Sequence, residues 1–457
     1  MDADGLTSRA KYSGHVKVRN PLRQAAAITA LLALGMLPAC ATVAGAQRSD
    51  TTGACVGERW LPPHELRTKE GYTVFLERPS IVAMRGGTFL AASPTRTLDP
   101  LGRPVWPLAP SGFPILLSGE ALGALVADDG LARLVPVPNG ISSYPWMPQA
   151  VGDDSGTAHV VWGSDENDPL PTRATSRSLW SARFDGEHWS TPRRLITTDG
   201  SLFWMSANAS PLVTKHGVVH FVVAVRGEGL RYFRFERGAW SNRHVEISSA
   251  LMGYPRLALL RSNRIVLMVQ GGLEGPASAL TAGFLASWSD DDGASWVTPV
   301  PISRFAEGPA YDGQLVADDR DVLHAFWYQQ TDRDGNPATR LSLGGSPGRI
   351  YVSRSTDRGQ SWQRAIPTDV IENANELGVV LRRDRSVLAV VGDRAGERTL
   401  VATWSNGWSP FTILEAKPDP FNPSLGTDDA QRPFLTWGIQ HRRGWLGSVM
   451  TVLVPCH

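Results

Sequence analysis

One spacing recurs seven times along this chain and restricts the fold more than any other feature. Fourteen residues separate Pro79 from Ser93, Pro148 from Trp162, Pro211 from Val225, Pro255 from Val269, Gly313 from Trp327, Leu377 from Val391 and Pro423 from Trp437. Each copy reads as an apolar strand, a short polar turn and a second apolar strand. Self-similarity at a fixed period is the mark of a repeat architecture.

The turns within the copies, such as Gly152-Asp153-Asp154-Ser155-Gly156, Asp318-Asp319-Arg320-Asp321 and Thr427-Asp428-Asp429, are rich in the residues that reverse a strand. The returning strands, among them His159-Val160-Val161-Trp162 and Leu323-His324-Ala325-Phe326-Trp327, are β-branched or aromatic and nearly continuous in apolarity. Such strands are expected to be buried on both faces. With 16 Trp, 45 Gly and 33 Pro and few apolar runs at helical spacing, the chain suits short strands joined by turns.

A second motif follows most hairpins, a Gly just before a Trp: Gly186 and Trp189, Gly238 and Trp240, Gly293 and Trp296, Gly359 and Trp362, Gly407 and Trp408. Each unit is therefore predicted to hold four strands, and the whole to be an all-β propeller of seven blades, with six as the alternative. The seventh copy lacks the Gly-Trp strand, and Gly57-Glu58-Arg59-Trp60-Leu61-Pro62-Pro63-His64-Glu65-Leu66 parallels Gly186-Glu187-His188-Trp189-Ser190-Thr191-Pro192-Arg193-Arg194-Leu195. The N-terminal segment is thus expected to supply the last blade's outer strand and close the ring, which protects exposed strand edges.

Residues 1–46 read as a targeting segment, with Arg19 and Arg23 ahead of the apolar run Ala25 to Leu37. Two exits are open: lipidation of Cys40 in Leu37-Pro38-Ala39-Cys40, or cleavage after Ala44-Gly45-Ala46. Residues 47–457 are expected to be one domain, exported either free or on a lipid anchor at the cell envelope. Cys55 and Cys456 then remain at opposite ends, either as a disulfide across the joint or as two unrelated thiols. Charge is balanced, 45 basic against 44 acidic residues, so nucleic acid is not an expected partner and a membrane is expected only through the anchor. No cofactor or metal is expected, since the His and Cys lack ligand spacing, and Asp332-Arg333-Asp334-Gly335-Asn336 reads as a plain turn rather than a calcium loop. A monomer is expected.

Two turns are sharper than the rest, Ser289-Asp290-Asp291-Asp292-Gly293-Ala294-Ser295-Trp296 and Ser355-Thr356-Asp357-Arg358-Gly359-Gln360-Ser361-Trp362. Both resemble the Asp-box, or BNR repeat, of the sialidase (neuraminidase) superfamily of propellers. The resemblance spans roughly residues 55 to 456 and implies a structural role for Ser289, Asp291, Gly293, Trp296, Ser355, Asp357, Gly359 and Trp362. It also implies activity on glycans, as a divergent exo-α-sialidase or another glycoside hydrolase. The alternative is a non-catalytic propeller binding glycan, another polar small ligand or protein partners, since fold alone does not determine function.

In a propeller, residues just before each first strand converge on one mouth. The register places Arg78, Met147, Ser210, Tyr254, Asp312, Glu376 and Asn422 there, with Trp146, Trp204, Arg256, Glu307 and Tyr311 close by. Carboxylates, cations and aromatics together suit a sugar or another polar organic ligand. Leu76-Glu77-Arg78-Pro79 is similar to the family's first-arginine motif, and Glu376 with Arg394 resembles its glutamate and second arginine. The family's tyrosine has no counterpart, because no tyrosine follows Tyr351. The candidate catalytic set is therefore a rearranged one, Tyr254, Asp312 and Glu376, with Arg78, Arg256, Arg394, Tyr311, Trp146 and Trp204 binding substrate.

Overall fold

The second strand of each expected hairpin is the apolar heart of the molecule. Val219–Val225, Ile265–Gly271, Leu323–Gln330 and Val387–Asp393 are buried along their whole length, because each lies inside a sheet that is itself covered on both faces. The structure is a computed structural model, and it describes residues 58–455 apart from 77–78, 86, 93–94, 99–100, 102–120, 128, 137, 139–143, 166–176, 199–211, 214–216, 226–228, 246–250, 272–282, 304–309, 333, 339–345, 394–397, 417–420, 429 and 441–445.

All seven hairpins form as antiparallel pairs: Ser80–Met84 with Gly87–Ala91, Tyr144–Gly152 with Ala158–Asp165, Leu212–Val213 with Val219–Val225, Leu251–Leu259 with Ile265–Gly271, Ala310–Ala317 with Leu323–Gln330, Ile371–Leu381 with Val387–Asp393, and Phe421–Thr427 with Pro433–Gln440. The architecture is all-β with a propeller arrangement. First strands pack in succession, for example Leu251–Leu259 on Ala310–Ala317 and Ala310–Ala317 on Ile371–Leu381, and Phe421–Thr427 packs on Ser80–Met84.

The separate blades number five, not the seven or six that the repeats predict. Four are four-stranded, and the fifth has five strands. The fifth and sixth repeats share one eight-stranded sheet, because Ser346–Ser355 pairs both with its own outer strand Ile366–Pro367 and, through Ser346 and Gly348, with Ile371–Leu381. A short loop between repeats leaves the two sheets edge to edge, where open N–H and C=O groups pair.

Closure by an N-terminal strand is corrected in the same way. Glu58–Trp60 and His64–Glu65 pair with Leu446–Pro455 as edge strands of a single sheet, and the first and last sheets meet instead through Phe421–Thr427 and Ser80–Met84. That approach is close: a Cβ on Gly426 would lie 2.6 Å from the Ile81 Cβ. Cys40, Cys55 and Cys456 fall outside the described residues, which contain no disulfide.

The sheets are held by side chains interleaved between neighbours. Val82, Phe89, Val160, Trp162 and Phe184 form one such layer, and Met268, Phe284, Ala325 and Trp327 another. Each fully buried aromatic of this kind contributes about 2–3 kcal/mol through the apolar surface it removes from water.

Hairpin turns are tied by their own aspartates. Asp318 Oδ1 accepts the N–H groups of Arg320 and Val322 at 2.8 and 2.9 Å, and Asp428 Oδ1 accepts that of Arg432 at 2.8 Å. The turn at Asp332 is built alike, with Asn336 donating its backbone N–H to Oδ1 at 2.9 Å and its amide to Oδ2 at 3.0 Å.

The two sharper turns share one hydrogen-bond scheme. Ser289 donates its hydroxyl to Asp291 Oδ1 at 2.7 Å and accepts the Gly293 N–H at 2.7 Å, while Ser295 donates its N–H and hydroxyl to the two Asp291 oxygens at 2.8 and 2.6 Å. Ser355, Asp357, Gly359 and Ser361 repeat the scheme at 2.8, 2.8, 2.9 and 2.5 Å. Trp296 meets Tyr232 edge-on at 5.7 Å, and Trp362 packs against the layer around Trp327.

Candidate functional site

Proline has no N–H to give to a ladder, so a strand carrying it must bulge. The first hairpins bulge where the repeat register begins. Pairing slips across Met147-Pro148, Tyr254-Pro255, Asp312-Gly313, Glu376 and Asn422-Pro423. Five of the seven positions expected at the mouth thus fall where the ladder is interrupted.

Asp312 and Glu376 carry this furthest. Their φ values are +58° and +52°. A left-handed conformation is tolerated by Asp and strained for Glu, and strain of this kind gathers at functional sites. They occupy equivalent bulges on neighbouring first strands, Ala310–Ala317 and Ile371–Leu381.

Hydrogen bonds run from strand to strand at the same level. Leu377 donates its backbone N–H to Asp312 Oδ2 at 3.1 Å, and Gln314 donates its amide to the Leu377 carbonyl at 3.0 Å. Arg256 donates Nε to Gln314 Oε1 at 3.3 Å and Nη1 to the Pro255 carbonyl at 3.1 Å. Between the first two sheets, Ser80 donates to Gln149 Oε1 at 2.8 Å. Arg256, Gln314, Gln149 and Ser80 each stand one residue after the start of their repeat, so one register position links successive sheets. Sequence reasoning overlooked Gln314 and Gln149; their signal was the recurrence of a polar residue immediately after the Pro or Gly.

The structure therefore brings Arg256, Asp312 and Glu376 into one segment of three adjacent first strands. They are 9%, 7% and 8% exposed, so this segment is tightly packed. Tyr311 points elsewhere. Its ring meets Tyr328 edge-on at 4.7 Å, and its hydroxyl bonds with Gln330 and Tyr328. Burial first, and Tyr328 next, push the Tyr311 hydroxyl far above its ordinary range, so its phenolate is strongly disfavoured.

The backbones of Trp146 and Tyr254 lie in Tyr144–Gly152 and Leu251–Leu259, Trp146 opposite Gly163. Arg78, Arg394, Trp204 and Glu307 lie outside the described residues.

No family model matches the chain, and neither does any curated protein. Among solved structures the chain is similar to a protein of unknown function from Dyadobacter fermentans, at 13% identity over 70% of this chain and 97% of that one, with a TM-score of 0.47. It is also similar to a variant of the NanB sialidase from Streptococcus pneumoniae, at 11% identity over 72% of each chain and a TM-score of 0.45. A third is a variant of an alpha-L-arabinofuranosidase from Fusarium graminearum, at 13% identity over 68% of this chain and 93% of that one, with a TM-score of 0.46. No activity passes across likenesses this distant.

Proposed function

We propose that this protein is an exported, glycan-active propeller of the sialidase-superfamily kind, working through the end where Arg256, Asp312 and Glu376 gather. One observation carries the reading: two carboxylates occupy equivalent left-handed bulges on adjacent first strands, with a guanidinium on the strand before them. Paired acids on rigid strands are what glycoside hydrolysis uses, one to protonate the leaving oxygen and one to assist from the opposite side. In this reading Glu376 and Asp312 share those roles, and Arg256 orients a polar substrate. Tyr254, Arg78, Arg394, Trp146, Trp204 and the ring of Tyr311 remain proposed members of the same mouth.

The turns at Ser289–Trp296 and Ser355–Trp362, with their shared hydrogen bonds, support the superfamily resemblance. Export rests on Arg19, Arg23 and the apolar run Ala25 to Leu37, with Cys40 as the lipid attachment in the anchored form.

A second reading, glycan binding without cleavage, is favoured by one fact. Asp312 Oδ2 already accepts the Leu377 N–H, which gives this carboxylate a structural role that needs no substrate.

Release of fluorophore from a panel of fluorogenic glycosides, an α-sialoside among them, separates the two. Cleavage that falls at least about a hundredfold in Glu376→Gln, in line with loss of a general acid or base, supports the first reading. Binding of the same sugars without cleavage supports the second, and neither binding nor cleavage overturns both.

A further inference from the structure

A cleft lies away from the clustered acids, between the sheet that runs from Tyr144 to Thr198 and the sheet that runs from Leu212 to Val245. Its volume is about 240 Å³, and its walls include His159, Arg183, Ser190, Arg193, Phe235 and Trp240. The pleat explains why these side chains share it. His159 pairs with Arg183 across one ladder, and Arg193 pairs with Ser181 across the next. Arg183 stands two residues from Ser181, so His159, Arg183 and Arg193 all project from one face. Phe235 and Trp240 are paired directly opposite each other on the facing sheet.

The polar groups here divide into those already satisfied and those left open. His159 Nε2 lies 3.1 Å from Asp153 Oδ2. Among the described residues, neither guanidinium has a carboxylate within ion-pair distance, and Arg183 lies 5.8 Å above the Phe235 ring. The Gly-Trp motif points the same way. Trp189 donates its indole N–H to the Pro136 carbonyl at 2.8 Å and Trp408 to that of Ile366 at 3.3 Å, each on a neighbouring strand system. Trp296 and Trp362 bury their indole N–H groups without a partner, whereas Trp240, also without one among the described residues, is half-buried and its ring forms a wall of the cleft.

We propose that this cleft binds a small acidic sugar, a monosaccharide bearing a carboxylate or a sulfate. Arg183 and Arg193 bind the anion, whose two or three oxygens match the guanidinium fork. Trp240 and Phe235 offer an apolar surface to the C–H face of the ring, and the Ser190 hydroxyl serves the sugar hydroxyls. The cleft is smaller than the roughly 300–1,000 Å³ that drug-sized ligands occupy, which limits the occupant to about one sugar unit. The proposal goes beyond the function given above and does not rest on it, since the two places share no residue.

Calorimetric titration of the full chain with glucuronate, glucose 6-sulfate, glucose and inorganic sulfate tests this. At least one sugar acid is expected to bind while glucose does not, and Arg193→Gln and Trp240→Phe are each expected to weaken that binding about tenfold or more, the arginine variant with an unchanged melting temperature. Arg193 has no side-chain partner to lose among the described residues, so its variant is expected to keep the fold. Asp312→Asn is expected to leave cleft binding intact, which keeps failure here distinct from failure of the other reading. No binding of either sugar acid, binding unchanged in Arg193→Gln, or inorganic sulfate binding as tightly as the sugars overturns the proposal.

Discussion

Asp312 and Leu377 stand on first strands of different repeats, and the carboxylate of one accepts the backbone N–H of the other at 3.1 Å. The bond exists because both strands bulge at the same register, so a side chain that leaves one ladder meets the backbone N–H that follows the bulge in the next.

Replacing Asp312 therefore acts first on stability. Asp312→Ala leaves the buried Leu377 N–H without an acceptor and puts a Cβ residue less tolerant of φ +58° in the bulge. A loss of about 2–3 kcal/mol is expected from urea denaturation. Asp312→Asn keeps an acceptor and tolerates the left-handed backbone, so a loss below about 1 kcal/mol is expected. Equal losses in the two variants would show that the bond contributes nothing.

The turn glycine at 293 is both left-handed and crowded. Its φ is +81°, and an added Cβ would lie 2.2 Å from Cζ of Tyr232 on the neighbouring sheet. Gly293→Ala is expected to cost about 2–4 kcal/mol through strain and displacement of the ring. Gly407, where an added Cβ meets nothing within 4 Å, serves as its comparison. Gly407→Ala should stay within about 0.5 kcal/mol. Thermal unfolding of both reads the contrast, and similar melting temperatures would contradict the close packing at Gly293.

Two pH windows are expected. Burial, the largest cause, lowers His220 and His324 from 6.5 to about 4. The unfolded chain thus takes up these protons more readily, so stability is full above pH 6.5 and falls as pH drops from there toward 4. Asp291 is held near 2 by the Ser295 hydroxyl first and by further hydrogen bonds, against the opposing effect of burial, below its ordinary 3.8. Its contribution is present above pH 3.8 and is lost as pH falls through 2. Urea midpoints measured from pH 7 to 2 check both windows. His324→Gln is expected to flatten the upper window and Asp291→Asn the lower, and a wild-type midpoint constant from pH 6.5 to 4 would refute the histidine assignment.

Much of this was legible along the chain. The fourteen-residue spacing located all seven hairpins, because strand alternation and turn chemistry are local properties. The repeat starts also named the positions that bulge, since a Pro at 148, 255 or 423 removes a ladder donor wherever the strand lies. The hydrogen-bonded turns at Asp291 and Asp357 were visible for the same reason: every donor and acceptor lies within eight residues.

What joins the units was not legible. Whether Ser346–Ser355 stops at its own outer strand or also pairs with Ile371–Leu381 depends on how two sheet edges approach in space. For this reason the repeats predicted more blades than separate sheets are found. The link from Arg256 through Gln314 to Leu377 was hidden too, as its members lie 58 and 63 residues apart. The same holds for the cleft between Arg193 and Trp240, two residues unremarkable until their sheets face each other.

By itself the sequence determined that the chain folds as repeated antiparallel hairpins, with polar residues offered at one end of each. Only the tertiary structure decided which of those residues meet, and that Tyr311 turns to Tyr328 and Gln330 while Asp312 turns to Leu377. The physical reason is range. Hydrogen bonds within a turn or ladder follow from neighbouring φ and ψ angles, whereas contacts between sheets depend on packing that the whole chain settles at once.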